Sequence, residues 1–144
     1  MADTESKDFV AIDPEVSASL VADLQKDFGR GAPVHTKVVA ETGKFLYVCA
    51  TSAGEIYRPS LLVDYGWHAF ILRTRAYAEH CDKLGRFVHH NQDDEPMEAR
   101  AISAQVIRTY EAIKDLGLRP DEEVWGMEHW NARCSACHPG IYSD

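Results

Sequence analysis

The sequence predicts an all-α fold, a single-domain helical bundle of about four main helices that ends in an irregular tail containing Cys and His. Apolar residues recur every three or four positions along four stretches, which is the period of an α-helix. The alternation typical of strands is convincing nowhere, and the length of 144 residues suits one domain. We therefore expect a mobile N-terminus, residues 1–12, followed by a single helical domain, residues 13–144.

The first predicted helix begins at Asp13, a favoured N-cap residue, and Pro14 follows where its missing N–H is harmless. A stripe at four-residue spacing predicts its buried side: Val16, Leu20, Leu24 and Phe28. Gly29 marks its end. The second helix is predicted from Pro33 to about Ser52, with apolar residues again at helical spacing: Val34, Val38, Phe45, Leu46 and Cys49.

The third predicted helix is the longest, from Ser60 to about Leu84, and Gly85 ends it. Its core-facing seam consists of Val63, Trp67, Phe70, Thr74, Tyr77 and Cys81. The fourth helix is predicted from about Pro96 to Leu116, with a stripe formed by Ile102, Val106, Tyr110 and Ile113. A short helical turn is expected at 120–125, and the stretch from Met127 onward shows no clear period.

The charge of the chain limits its partners. Fifteen Lys and Arg residues face 23 Asp and Glu residues, for a formal charge of −8. An acidic domain binds phosphates poorly, so we expect neither nucleic acid nor a membrane surface as a partner. No apolar run approaches the ~18 residues of a membrane span, and the first residues lack the apolar core of a secretion signal. The expected location is the cytoplasm. The sequence predicts neither the identity of a small-molecule or protein partner nor the oligomeric state.

Asp64 and His68 lie four residues apart on the third helix, so they project from the same side. A carboxylate one turn from an imidazole can fix its orientation, as in many metal and acid–base sites. The pair is thus a candidate catalytic or metal site, beside a pocket lined by Trp67 and Tyr77. The alternative is a polar pair at the rim of the core.

Two adjacent histidines, His89 and His90, follow the third helix in a predicted loop. They can aim at one point and are candidate metal ligands; alternatively, one of them caps the helix end. His80 lies about 120° around the same helix from His68 and is predicted to be a surface residue. Cys49 and Cys81 are predicted to be small core residues.

The strongest local motif is C-x-x-C-H, formed by Cys134, Cys137 and His138. Two thiolates at this spacing wrap one soft metal ion, and the imidazole is a third candidate ligand. Three alternatives are open: covalent haem c, which is disfavoured without an export signal; a redox dithiol, which usually lies in a βαβ setting; and two unrelated cysteines.

A zinc ion needs a fourth ligand from the body of the fold, and His68, His89 and His90 are the candidates. Zinc is the expected ion from the ligand types, with iron and copper as alternatives. Whether such a site is structural or catalytic is open, because a water molecule in the fourth position gives a catalytic zinc.

The motifs D-x-x-W-H at 64–68, G-R-F-x-H-H at 85–90 and C-x-x-C-H at 134–138 resemble those of a small, mostly actinobacterial family with similarity to glycine-rich domain proteins. The resemblance covers about half of the chain, and it implies that Asp64, Trp67, His68, Phe87, His89, His90 and the three tail residues belong to one pattern. It supplies no reaction, and the chain has no glycine-rich segment.

Three functions are consistent with these observations. The first is a metal-binding helical protein. The second is a small enzyme that uses Asp64 and His68 as an acid–base pair. The third is a partner-binding module in which exposed Trp125 and Trp130 mark the interface.

Overall fold

The computed structural model describes residues 9–29, 32–52, 55–90 and 97–127. It confirms the all-α class, because these residues form helices and no strand. The helices are α1 (Pro14–Phe28), α2 (Ala32–Thr51), α3 (Leu61–Leu72), α4 (Thr74–Leu84), α5 (Ala99–Asp115) and α6 (Glu122–Trp125).

The start of α1 is capped as predicted. The Asp13 carboxylate accepts hydrogen bonds from the backbone N–H groups of Glu15 and Val16, at 3.0 and 3.3 Å. These N–H groups have no partner within the helix, and the cap satisfies them. At the other end, Gly29 has a φ of +88°, a conformation that glycine adopts without strain.

The prediction of one long third helix was wrong, because the chain breaks at Arg73 into α3 and α4. Arg73 has φ −92° and ψ 73°, and its N–H bonds back to the Phe70 carbonyl at 3.0 Å. Its guanidinium donates two hydrogen bonds to the Asp23 carboxylate on α1, at 2.7 and 3.0 Å. This bidentate pair fixes the break against α1.

Helix α2 is the centre of the bundle and packs against each of the other described helices. Its inward side chains, Val38, Phe45, Leu46 and Val48, are almost completely buried. The approach of α3 is closest at Gly66, where an added Cβ would lie 2.3 Å from the Thr42 hydroxyl oxygen and 3.0 Å from a Val38 methyl. The small residue therefore sets the distance between these two helices.

Buried polar groups hold α6 against the body. The Ser60 hydroxyl caps α3 through Val63 N and donates to the Val124 carbonyl at 3.0 Å. The Trp125 indole donates to the buried Glu41 carboxylate at 3.0 Å. Trp125 is completely buried, so it cannot belong to the exposed interface that the partner-binding hypothesis required.

The predicted N-terminal segment is described only from Phe9 onward. There, the Phe9 ring packs edge-to-face with that of Tyr47, with ring centroids 5.4 Å apart. Ile12 is buried next to Gly43. None of the helices in the four described ranges is long and apolar enough to cross a bilayer.

Candidate functional site

Asp64 on α3 is joined to His90, in the segment after α4. One carboxylate oxygen of Asp64 lies 2.8 Å from Nε2 of His90. Because a carboxylate accepts hydrogen bonds, Nε2 carries the proton, and the lone pair of a neutral ring is then on Nδ1. Both side chains are partly exposed, 40% for Asp64 and 26% for His90. The pair is therefore fixed in orientation and open to solvent.

Trp67 forms the floor of this site. Its ring centroid lies 4.2 Å from that of His90, and its indole N–H donates to the Tyr77 hydroxyl at 2.9 Å. The Tyr77 hydroxyl in turn donates to the carbonyl of Val88, two residues before His90. These two hydrogen bonds, the Trp67–Tyr77–Val88 relay, connect the segment after α4 to α3. Burial raises the pKa of Tyr77, so the hydroxyl keeps the proton that the relay needs.

The end of α4 directs the chain toward this relay. Gly85 has a left-handed φ of +87°, and both Gly85 N and Arg86 N bond to the Cys81 carbonyl, which ends the helix. Val88 is then buried. Phe87 is half exposed, and its ring packs edge-to-face with that of Tyr77, with ring centroids 5.5 Å apart.

The structure separates the predicted histidines. His68 is exposed, and within the described ranges no hydrogen bond links it to Asp64. His89 is exposed as well, and its ring packs against that of Phe87, with ring centroids 4.7 Å apart. Only His90 of the three contacts Asp64 and Trp67. Trp67 and Tyr77, predicted to line a pocket, are buried and bonded to each other.

The prediction that His80 lies on the surface was wrong: only 4% of it is exposed, and its ring packs against Phe70 at 5.4 Å. Its Nε2 has no hydrogen-bond partner within the part of the chain that the structure describes. Burial lowers the pKa of His80 to about 4, and the nearby Lys83 charge contributes to this shift. The ring is therefore neutral at neutral pH.

The two described cysteines are free thiols. Cys81 is buried as predicted, whereas Cys49 is half buried. Burial raises the pKa of Cys49 to about 12, so its thiol is neither a nucleophile nor a ready metal ligand at neutral pH.

The motif residues Cys134, Cys137 and His138 lie outside the described residues, as does Trp130. Within residues 9–29, 32–52, 55–90 and 97–127, no group of three His, Cys, Asp or Glu side chains is arranged to hold a metal ion. Of the predicted ligands and partners in these ranges, Asp64 and His90 are in contact.

Spacing alone could not identify the Asp64–His90 pair, because 26 residues separate the two. The helical period pairs Asp64 with His68, and only the chain reversal after α4 brings His90 closer. The resemblance did place Asp64, Trp67 and His90 in one pattern. No sequence signal indicated that Tyr77 would bond to both Trp67 and Val88.

In a comparison with protein families, the model of the UCP032817-like family matches residues 13–115. The match includes α1 to α5 and the Asp64–His90 pair, and it ends before the C-x-x-C-H motif. No curated protein and no solved structure matches the chain.

Proposed function

The chain belongs to the UCP032817-like family, and we propose that it is a metal-binding helical protein. The proposed site joins the helical body, through His90, to the C-terminal motif, through Cys134, Cys137 and His138. Zinc is the ion that fits this set of ligands best, and iron and copper are the alternatives.

The observation that carries this proposal is the hydrogen bond between Asp64 and His90. Histidines that bind metals almost always donate their other ring N–H to a carboxylate or carbonyl, which fixes the tautomer and the ring direction. His90 has this partner at 2.8 Å, and Trp67 supports one face of its ring. Among the three candidate histidines, His90 is therefore the best prepared to be a ligand.

The length of the chain is sufficient for the motif to reach His90. Cys134 follows Trp125 by nine positions, and an extended chain of that length spans about 30 Å. Ring contacts connect Trp125 to His90 through Phe45 and Trp67, with successive centroid distances of 6.4, 4.9 and 4.2 Å. The distance to be covered is well within this reach.

The expected role depends on the number of protein ligands. Two thiolates and two imidazoles complete the tetrahedral shell typical of structural zinc, and such a site would fasten the end of the chain to α3. If only three of them bind, a water molecule completes the shell, and the metal can then act as a catalyst.

The test is elemental analysis of protein purified without a histidine tag. We expect about one zinc ion per chain in the wild type and a large loss in His90→Ala and in Cys134→Ser/Cys137→Ser. His68→Ala is the matched control, because His68 is exposed and unpaired with Asp64 in the described structure. Circular dichroism checks that each variant keeps its helices.

A wild-type protein with far less than one ion per chain (about 0.2 or lower) contradicts the proposal, since a structural zinc site binds tightly. Equal metal loss in His68→Ala and His90→Ala contradicts the assignment of His90. A covalently held Soret chromophore would replace the metal site with haem c.

A second candidate function is acid–base catalysis, and the same pair favours it in a different form. Here Asp64 would orient His90 as the general base, in place of the Asp64–His68 pair that spacing predicts. Metal binding that persists unchanged in His90→Ala would favour this function. It would mean that His90 is not a metal ligand in the wild type, where its ring is then available for proton transfer.

A further inference from the structure

A small cavity of ≈ 110 Å³ lies where the end of α1, the start of α2 and the start of α3 meet. Leu24 comes from α1, Val34 and Val38 from α2, and Leu62 from α3. These side chains come from three helices, and together they leave a gap that none of them fills.

The walls of the cavity offer water nothing to bond to. Their accessible surface is entirely apolar, although His35 is one of the lining residues. Nε2 of His35 is already engaged, since it lies 2.8 Å from the Gly29 carbonyl and donates to it. A water molecule in a cavity needs two to four polar partners, and apolar cavities stay dry and accept apolar guests.

Two aromatic rings form the outer wall. Phe28, the last residue of α1, is stacked on Tyr65 of α3 with centroids 4.6 Å apart. Phe28 is 53% exposed although it continues the buried stripe of α1, and Tyr65 is 36% exposed. Exposed side chains change rotamer within nanoseconds, so the Phe28 ring can move without a change in the backbone.

We propose that this cavity is a binding site for a small apolar molecule, of the size of one aromatic ring or a short branched alkyl group. An apolar cavity of about 150 Å³ binds benzene or xenon in another protein, and the present volume is of the same order. The site is separate from the Asp64–His90 pair and does not depend on the metal.

The experiment is a titration of the full-length, isotope-labelled protein with benzene, followed by amide NMR shifts. We expect saturable shifts at the residues around the cavity, and no such shifts with naphthalene, which is too large. In Val34→Phe the new ring fills the cavity, so benzene affinity falls by at least about tenfold. Val21→Phe, at a half-buried valine of α1 outside the cavity lining, is the matched control and keeps the wild-type affinity.

Leu62→Phe fills the same space from α3 and replaces Val34→Phe if that variant does not fold. The absence of saturable shifts with benzene in the wild type overturns the proposal. So does benzene binding that is unchanged in the folded filling variant, or naphthalene binding as tight as that of benzene.

Discussion

At the scale of single residues, His80 is a polar side chain that the fold buries almost completely. A histidine with a free ring nitrogen normally faces water or a partner, yet Nε2 of His80 is buried without one within the described ranges. Leaving such a group unsatisfied costs about 1–3 kcal/mol. His80 is therefore a position where the sequence is not optimal for stability.

His80 makes the stability of the protein depend on pH. The folded pKa is about 4, below the value of about 6.5 in an unfolded chain. The unfolded state therefore binds the proton more readily between these values, and the contribution of the neutral ring to stability is complete above about pH 6.5. It is lost as the pH falls to about 4, by roughly 3 kcal/mol.

The measurement is urea unfolding at pH 7 and pH 5 for the wild type and for His80→Leu. We expect the loss of stability between the two pH values to be clearly smaller in His80→Leu, because leucine cannot be protonated. Identical pH dependence in both proteins would show that His80 is not the source.

At the scale of secondary-structure elements, the break at Arg73 explains what the sequence could and could not predict. The seam residues on both sides of it, Val63, Trp67, Phe70, Tyr77 and Cys81, are buried as predicted. Within α4, His80 lies three residues after Tyr77 and next to Cys81, so it shares their buried side of the helix. Thr74, directly after the break, is exposed.

Gly66 is the position where α2 and α3 tolerate least change. We expect Gly66→Ala to destabilise the protein by about 1–3 kcal/mol, the usual range for overpacking, since the new Cβ would meet the Thr42 hydroxyl at 2.3 Å. Gly43→Ala is the matched control: its Cβ would meet Ile12 at 3.4 Å, an ordinary contact. The better helix propensity of alanine should leave this variant at least as stable as the wild type.

Urea unfolding of both variants tests this contrast. If Gly66→Ala is as stable as Gly43→Ala, the two helices can move apart freely, and Gly66 does not set their distance.

At the scale of the whole molecule, a buried charge connects the last described helix to the central one. Glu41 is 2% exposed, and its two oxygens accept from the Trp125 indole at 3.0 Å and from Lys44 at 2.8 Å. Lys44 also donates to the Arg119 carbonyl at 2.9 Å. This network closes the bundle between segments that are more than 70 residues apart in the chain.

Removal of this carboxylate should be costly. We expect Glu41→Ala to lower the free energy of unfolding by about 2–4 kcal/mol, because it leaves the buried indole N–H without an acceptor. A double-mutant cycle with Trp125→Phe should give a coupling energy above about 1 kcal/mol. Additive effects would mean that the bond contributes nothing beyond packing.

The fold class and most of the helix positions could be predicted because they depend on local spacing. Asp13 is the N-cap of α1 as predicted, and the stripe of α5 is buried at Val106, Tyr110 and Ile113. Contacts between distant segments could not be predicted in this way. The bonds from Glu41 to Trp125 and from Asp64 to His90 depend on how the helices pack, and no period in the sequence contains that information.

The tight contact at Gly66 also has an evolutionary consequence. A homologous chain that carries alanine at this position must make room on the facing helix, and loss of the Thr42 hydroxyl removes the nearest atom. Positions 42 and 66 should therefore covary among homologues: a chain with a side chain at position 66 should carry a residue smaller than threonine at position 42.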